Sequence, residues 1–95
     1  MRWLVTRHAG ALAWAQQSNI AFERHVTHLE PEHLMPGDIV IGSLPVHMAA
    51  EVCARGGRYF HLTLHLSQED RGQELSADTL FCKAAQLEEF LVLRR

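Results

Sequence analysis

The chain has 95 residues, which suffices for one small domain over residues 1–95 and rules out most multidomain enzymes. Hydrophobic residues make up 47% of it and charged residues 21%, a composition typical of a globular rather than a disordered chain. Nine Lys and Arg against eleven Asp and Glu give a net charge of -2, so we expect no binding of duplex DNA or RNA through bulk charge. A small anionic ligand needs only a local pocket and is compatible with this charge.

The first half of the chain alternates between strand and helix patterns. A short apolar run at residues 3–6 predicts a buried strand, and the alanine-rich residues 11–17 predict a helix. Residues 20–26 predict a second strand, whose apolar alternation is broken by Arg24. A loop with two prolines follows over residues 27–37.

The second half begins with the clearest strand, the β-branched residues 38–42 between Pro-Gly and Gly-Ser. Pro45 opens a second helix, which ends at two glycines. Residues 59–66 predict a fourth strand, and residues 67–75 a polar loop. Ser76 is a plausible N-cap for a last helix. The apolar stripe of that predicted helix consists of Leu80, Ala84, Leu87 and Leu91.

The resulting order is β-α-β-β-α-β-α, which predicts an α/β fold with a mainly parallel, four-stranded sheet. Right-handed crossovers place helices on both faces of such a sheet, giving three layers. The first residues enter a strand without a long apolar region, which predicts no signal peptide. Since no stretch reaches the roughly 20 apolar residues of a membrane span, we expect a cytoplasmic protein with no membrane contact.

Two predicted loops at strand ends carry the residue types of an anion site. Open α/β sheets bind ligands where strands end and helices begin, because helix N-termini offer free N–H groups. The loop at residues 6–10 contains Arg7, a bidentate cation, and His8; the loop at residues 42–47 contains Ser43 and His47. Neither loop is a Walker A or dinucleotide motif. Alternatively, Arg7 pairs with a carboxylate, Ser43 caps a helix, and the histidines are ordinary polar residues.

Seven histidines in 95 residues raise the alternative of a metal site. His25, His28 and His33 lie around the second predicted strand, while His61 and His65 share one face of the fourth. Neither paired cysteines nor H-E-x-x-H is present. We therefore favour solvated or core-edge histidines and expect no metal and no cofactor.

The sequence leaves two alternatives for each of two charged residues, Glu51 and Arg71. Glu51 stands four residues before Arg55 on the second predicted helix, so the two could simply pair, or Glu51 could orient His47 one turn earlier. Arg71 belongs to the charged segment Arg71-Gly72-x-Glu74-Leu75, which either folds over a ligand or forms a turn with a salt bridge.

A resemblance to a known family is carried by four segments. They are Thr6-Arg7-His8 with Gly10-Ala11 and Trp14-Ala15; Gly37-Asp38-x-Val40-Ile41-Gly42-x-Leu44-Pro45-Val46-His47; Ala49-Ala50-Glu51-Val52-Cys53-Ala54-Arg55-Gly56; and Arg71-Gly72-x-Glu74-Leu75-Ser76. With these segments the chain resembles the small CRISPR-associated Csx-sixteen family, which accompanies type III CRISPR systems. The resemblance runs from Trp3 to about Leu91. Ala9, where many relatives have proline, and Ser43, where threonine is common, depart from the family pattern.

The resemblance implies a ring nuclease that linearises cyclic oligoadenylate, with cyclic tetra-adenylate as the expected ring. Such rings are second messengers made when a type III complex detects foreign RNA, and their destruction switches off the ancillary effectors. The resemblance also implies a homodimer with a small Rossmann-like fold, similar to CARF domains. Two copies of the chain could enclose a ring that one copy could not.

The expected chemistry is metal-free attack of the ring's own 2′-OH on the adjacent phosphate. Arg7 would clamp the phosphate, and His8 or His47 would act as general base or acid. Two other readings stay open, a binding-only sensor or sponge and a structural subunit of the CRISPR complex. The candidate ligand-binding residues are Thr6, Gly10, Gly42, Ser43, Leu44, Pro45, Glu51 and Arg71.

Overall fold

Helices alternate with strands through most of the chain. The structure is a computed structural model, and it describes residues 1–64 and 85–95. In chain order the elements are β1 (Arg2–Val5), α1 (Ala9–Gln17), β2 (Arg24–Val26), a 3-10 turn (Pro31–His33), β3 (Ile39–Gly42), α2 (Val46–Ala54), β4 (Arg58–Leu64) and β5 (Ala85–Phe90).

One mixed sheet contains all the described strands, in the order β2-β1-β3-β4-β5. The pairs β1–β2, β1–β3 and β3–β4 are parallel, and β5 is antiparallel to β4 at the edge. The α/β class is therefore confirmed. The expected four-stranded Rossmann-like sheet in the order β-α-β-β-α-β-α is wrong, since the sheet has a fifth strand where we predicted the last helix.

The prediction of a helix through Leu87 and Leu91 is wrong. The spacing of its apolar residues is compatible with a helix and with a strand. Leu87 lies in β5 and pairs with Leu62 of β4, and Leu91, just beyond the strand, is 75% exposed. The seven-residue strand β4 offers a row of backbone N–H and C=O groups that a neighbouring strand satisfies. That non-local pairing outweighs helical periodicity. Ser76, Leu80 and Ala84 lie outside the described residues.

The predicted second strand is shortened to the three residues of β2. Asn19 has a positive φ of 56°, and the Ile20 N–H donates to the Ala15 carbonyl at 2.9 Å. This turn at the end of α1 places Ile20 and Phe22 against the core cluster of Leu4 rather than in the sheet. The apolar residues that suggested a longer strand are thus packing residues of a connection.

The two α-helices that the structure describes cover opposite faces of the sheet. Since side chains alternate along a strand, Trp3 and Val5 face α2 while Leu4 faces α1. On the α2 side, Val40 and Val52 are fully buried, and each contributes about 1.5–3 kcal/mol through burial. No helix in residues 1–64 and 85–95 is long and apolar enough to cross a membrane.

Cys53, on α2, is half-buried. Its thiol lies 3.9 Å from the Phe90 carbonyl and accepts the Val92 N–H at 3.5 Å. It therefore joins α2 to the segment that follows β5. The other cysteine, Cys82, lies outside the described residues.

Candidate functional site

The ends of β1 and β3 lie side by side at the centre of the sheet, where Val5 pairs with Gly42. From β1 the chain passes through α1 to β2 on one side; from β3 it passes through α2 to β4 on the other. The two connections therefore diverge, and a crevice forms between them. Crevices of this kind are where open α/β sheets bind ligands.

Gly42 permits this close approach of the two strand ends. A Cβ atom at this position would lie 2.5 Å from the Val5 carbonyl oxygen, a distance that real Cβ atoms do not reach. The absence of a side chain thus lets the loop after β3 start directly beside the loop after β1.

The crevice is a cleft of ≈ 470 Å³. Small-molecule sites span about 300–1,000 Å³, so the cleft is large enough for a nucleotide. Its lining residues are Val5, Thr6, Arg7, His8, Thr27, His28, Leu29, Ser43, Leu44, Pro45, His47, Met48 and Leu62.

The three residues predicted to be catalytic, Arg7, His8 and His47, all line this cleft. Arg7 and His8 come from the loop after β1, and His47 comes from the first turn of α2. Four of the predicted ligand-binding residues line it as well. They are Thr6, Ser43, Leu44 and Pro45.

The other predicted site residues lie elsewhere. Gly10 is buried inside α1, and Gly42 ends β3 and acts through its backbone. Glu51 is not among the residues that line the cleft. Its carboxylate accepts the Arg55 Nε–H at 2.9 Å, as in the pairing alternative. Arg71 lies outside the described residues.

The described residues that line the cleft carry a positive charge, although the chain as a whole is negative. Among these described residues Arg7 is the one permanent cation and there is no carboxylate. Within residues 1–64 and 85–95 no carboxylate lies within ion-pair distance of Arg7. The alternative in which Arg7 forms a salt bridge is therefore not what the described structure shows, and the guanidinium is available to an anion.

Two hydrogen bonds hold the loop after β1. The His8 N–H donates to the Thr6 hydroxyl at 3.1 Å, and His25 Nε2 on β2 lies 3.1 Å from the Thr6 carbonyl oxygen. His25 thus supports the loop that carries Arg7. This role differs from the metal alternative in which His25 was a ligand.

Ser43, in the loop after β3, does not cap α2. Ser43 Oγ donates to the Leu62 carbonyl at 2.9 Å. Pro45, not Ser43, occupies the N-cap position of α2. Ser43 therefore fastens its loop to β4 rather than capping the helix.

Sequence reasoning missed the contribution of the loop after β2. Thr27 and His28 line the cleft because β2 runs parallel to β1 and ends at the same edge of the sheet at Val26. A parallel β1–β2 pair was the signal that could have placed them there. His28 appeared in the sequence only as part of a possible metal cluster.

Metal binding gains no support from the described residues. No group of three or more His, Cys, Asp or Glu residues there is arranged to hold a metal ion. His61 Nδ1 lies 2.6 Å from the Tyr59 hydroxyl, and His65 is outside the described part.

Comparison with known families finds one match that covers nearly the whole chain. Residues 3–93 match the family described as "Putative CRISPR-associated protein (Cas_VVA1548)". Comparison with curated proteins and with solved structures finds no match.

Proposed function

The chain belongs to the CRISPR-associated family Cas_VVA1548, and on that basis we propose that it is a ring nuclease that opens cyclic oligoadenylate. The proposed substrate is cyclic tetra-adenylate, and the proposed consequence is the end of type III CRISPR signalling. The observation that supports this most directly is the convergence of Arg7, His8 and His47 on one cleft whose described lining residues include no carboxylate.

A phosphodiester is the anion that this cleft suits. Arg7 offers two parallel N–H groups to the non-bridging phosphate oxygens. α1 and α2 both start at the cleft, so their N-terminal N–H groups and dipoles add to the positive potential. Neither helix has an acidic residue in its first turn, which would have repelled the ligand.

The proposed reaction uses the 2′-OH next to the scissile phosphate as nucleophile. One histidine takes the 2′-OH proton while the 2′-oxygen forms a bond to phosphorus. The bond from phosphorus to the 5′-oxygen breaks, and the other histidine protonates that leaving oxygen. The products are linear adenylates with a 2′,3′-cyclic phosphate at one end and a 5′-OH at the other. His8 precedes α1 and His47 lies in the first turn of α2, so the two histidines line the cleft from different elements, which supports separate acid and base roles.

Apolar residues of the same cleft supply a surface for the adenine base. Leu29, Leu44, Met48 and Leu62 line it beside the polar groups. Cofactor and nucleotide sites commonly combine such an apolar lining with a few polar groups. The combination favours a nucleotide over inorganic phosphate.

The ring is larger than a cleft of ≈ 470 Å³, so we propose that two copies of the chain share one ring. A cyclic tetranucleotide has a two-fold axis, and a C2 dimer presents the same site twice. Cleavage at opposite linkages then yields two dinucleotides.

The test is incubation of the purified protein with cyclic tetra-adenylate in EDTA, followed by chromatography of the nucleotides. We expect loss of the ring and appearance of linear products. An unchanged ring that binds tightly would instead indicate a sponge or sensor. An unchanged ring that does not bind, together with co-purification with a CRISPR complex, would indicate a structural subunit.

A further inference from the structure

A buried tyrosine lies directly behind one wall of the cleft. Tyr59 on β4 is 2% exposed and belongs to the core cluster on the α2 side of the sheet. Its hydroxyl reaches beyond the core to the connection between β3 and α2, which carries Ser43 and Leu44 and leads into the turn of α2 that contains His47. The hydroxyl is therefore placed to act on the cleft from behind.

Three groups surround this hydroxyl at hydrogen-bond distance. The Leu44 N–H donates to it at 2.9 Å, the Gly42 carbonyl accepts from it at 3.2 Å, and His61 Nδ1 lies 2.6 Å away. Gly42 and Leu44 are on either side of Ser43, so the tyrosine binds the backbone at both sides of that residue.

A phenol has one proton and two acceptor lone pairs. Leu44 uses one lone pair. If the Tyr59 hydroxyl donates its proton to the Gly42 carbonyl, His61 Nδ1–H donates to the second lone pair. If the hydroxyl instead donates to an unprotonated His61 Nδ1, no proton is left for a hydrogen bond to the Gly42 carbonyl. The imidazole therefore determines in which direction the Tyr59 hydroxyl donates. Burial raises the pKa of Tyr59, against a lowering by the Leu44 N–H, so the phenol keeps its proton at neutral pH.

The wall of the cleft has two side-chain ties to β4. The first is this hydroxyl, and the second is the bond from Ser43 Oγ to the Leu62 carbonyl. Pro45 has no N–H of its own, and its carbonyl is taken by the Met48 and Ala49 N–H groups at the start of α2. The position of the loop between β3 and α2 thus depends on its hydrogen bonds to the Tyr59 hydroxyl and the Leu62 carbonyl of β4.

We infer that Tyr59, oriented by His61, is a positioning residue that holds the β3–α2 connection so that His47 meets the scissile phosphate. The inference rests on the proposed ring-nuclease function. Tyr59 does not line the cleft, and it acts through the Leu44 and Gly42 backbone. A displacement of about 1 Å at a reacting group can cost about 10²-fold in rate, so the tie affects turnover more than ring binding.

The test is the variant Tyr59→Phe, which keeps the ring and removes the hydroxyl. We expect kcat for ring opening to fall about 10- to 100-fold, with a much smaller change in KM. The matched control is Trp3→Phe, which loses a buried hydrogen bond to Asp38 (3.2 Å) at the other end of the sheet. We expect Trp3→Phe to lower Tm while leaving kcat close to the wild-type value.

A double variant separates positioning from general destabilisation. If Tyr59 acts through His47, the Tyr59→Phe change costs far less in the His47→Ala background than in the wild type, because coupled residues are non-additive. Equal losses in both backgrounds, or full kcat in a folded Tyr59→Phe protein, would overturn the inference.

A ligand-free measurement keeps this result distinct from the proposed function. Hydrogen exchange at the Leu44 amide should accelerate in Tyr59→Phe, and in His61→Leu if Tyr59→Phe does not fold. If the wild-type protein opens no ring, the proposed function fails, and the Leu44 exchange still tests the tie. Unchanged Leu44 exchange would contradict the tie itself.

Discussion

Arg7 is the residue on which anion binding most depends. It is the one permanent cation among the lining residues that the structure describes, and no carboxylate among the described residues competes for it. A hydrogen bond to a charged group contributes about 1.5–3 kcal/mol, so Arg7→Ala should weaken ring binding about 10- to 100-fold and lower turnover with it. Arg7→Lys should recover only part of this, because lysine lacks the bidentate fork. Calorimetric Kd values test this, and an unchanged Kd in Arg7→Ala would place the anion elsewhere.

His47 should affect turnover rather than binding. General acid or base catalysis contributes about 10²–10⁴-fold, so we expect His47→Ala to lower kcat by that order with a small change in KM. The matched control is His33→Ala, which alters a histidine at the opposite end of the sheet. Steady-state kinetics of both variants test this. A larger effect on KM than on kcat would show that His47 binds the ring without moving a proton.

Asp38 is a structural residue and gives a pH prediction. Burial raises the pKa of its carboxyl, but the Met35 N–H, the terminal ammonium of Met1 and the Trp3 indole together lower it below the usual 3.8. Because the pKa of Asp38 is lower in the folded than in the unfolded state, its ionised carboxylate stabilises the fold at pH values above the unfolded-state pKa. This contribution is lost as the pH falls through the folded-state pKa.

The variant Asp38→Asn should therefore lose about 1–3 kcal/mol of unfolding free energy at neutral pH. The difference from the wild type should shrink as the pH falls below about 4. Urea unfolding at a series of pH values measures this. A difference that stays constant down to the lowest pH would show that ionisation of Asp38 does not stabilise the fold.

At the scale of the elements, β3 and its junction with β1 set the shape of the site. Gly42→Ala would place a Cβ atom 2.5 Å from the Val5 carbonyl, and relieving such a clash costs about 1–3 kcal/mol. We expect a lower Tm together with reduced ring binding, because the strand ends that border the cleft must move apart.

Gly37→Ala is the comparison for Gly42→Ala. Gly37 has open space around its Cα, and its φ is +91°, so an alanine there meets backbone strain without a clash. We expect Gly37→Ala to lower Tm without affecting ring binding. Equal binding by both variants and the wild type would contradict the role given to Gly42.

The elements also show where sequence patterns suffice. The β-branched residues 39–41 and the glycine that follows them predicted β3 within one residue of its observed start. Pro45 likewise marked the start of α2. These signals are local, being a proline, a glycine or a β-branched run. β5 was mispredicted because Leu87 suits a helical stripe as well as a strand, and only pairing with β4 distinguishes the two.

At the scale of the whole molecule, the site was predictable in part because parallel strands end at one edge. Arg7 and His47 are 40 positions apart in the numbering, and they meet because β1 and β3 are neighbours. The contribution of His28 required knowledge that β2 pairs with β1. Which strands are neighbours in a sheet depends on contacts between residues far apart in the chain, and the spacing of residues in the sequence does not reveal it.

The proposed sharing of one ring by two chains gives a prediction about stoichiometry. A cleft of ≈ 470 Å³ holds only part of the ring. The variant His47→Ala keeps Arg7 and is expected to bind the ring without opening it, so its titration with the ring should saturate at one ring per two chains. Calorimetry combined with light scattering measures both the ratio and the mass of the complex. One ring per single chain, with the mass of a monomer, would contradict the two-fold arrangement.

The most direct test of metal-free attack by the ring's own sugar compares cyclic tetra-adenylate with its 2′-deoxy analogue, each incubated with the wild-type protein in EDTA. The account predicts that the natural ring becomes linear adenylates ending in a 2′,3′-cyclic phosphate, while the deoxy ring binds and stays closed. Opening of the deoxy ring, or opening of the natural ring only when a divalent cation is supplied, would contradict it.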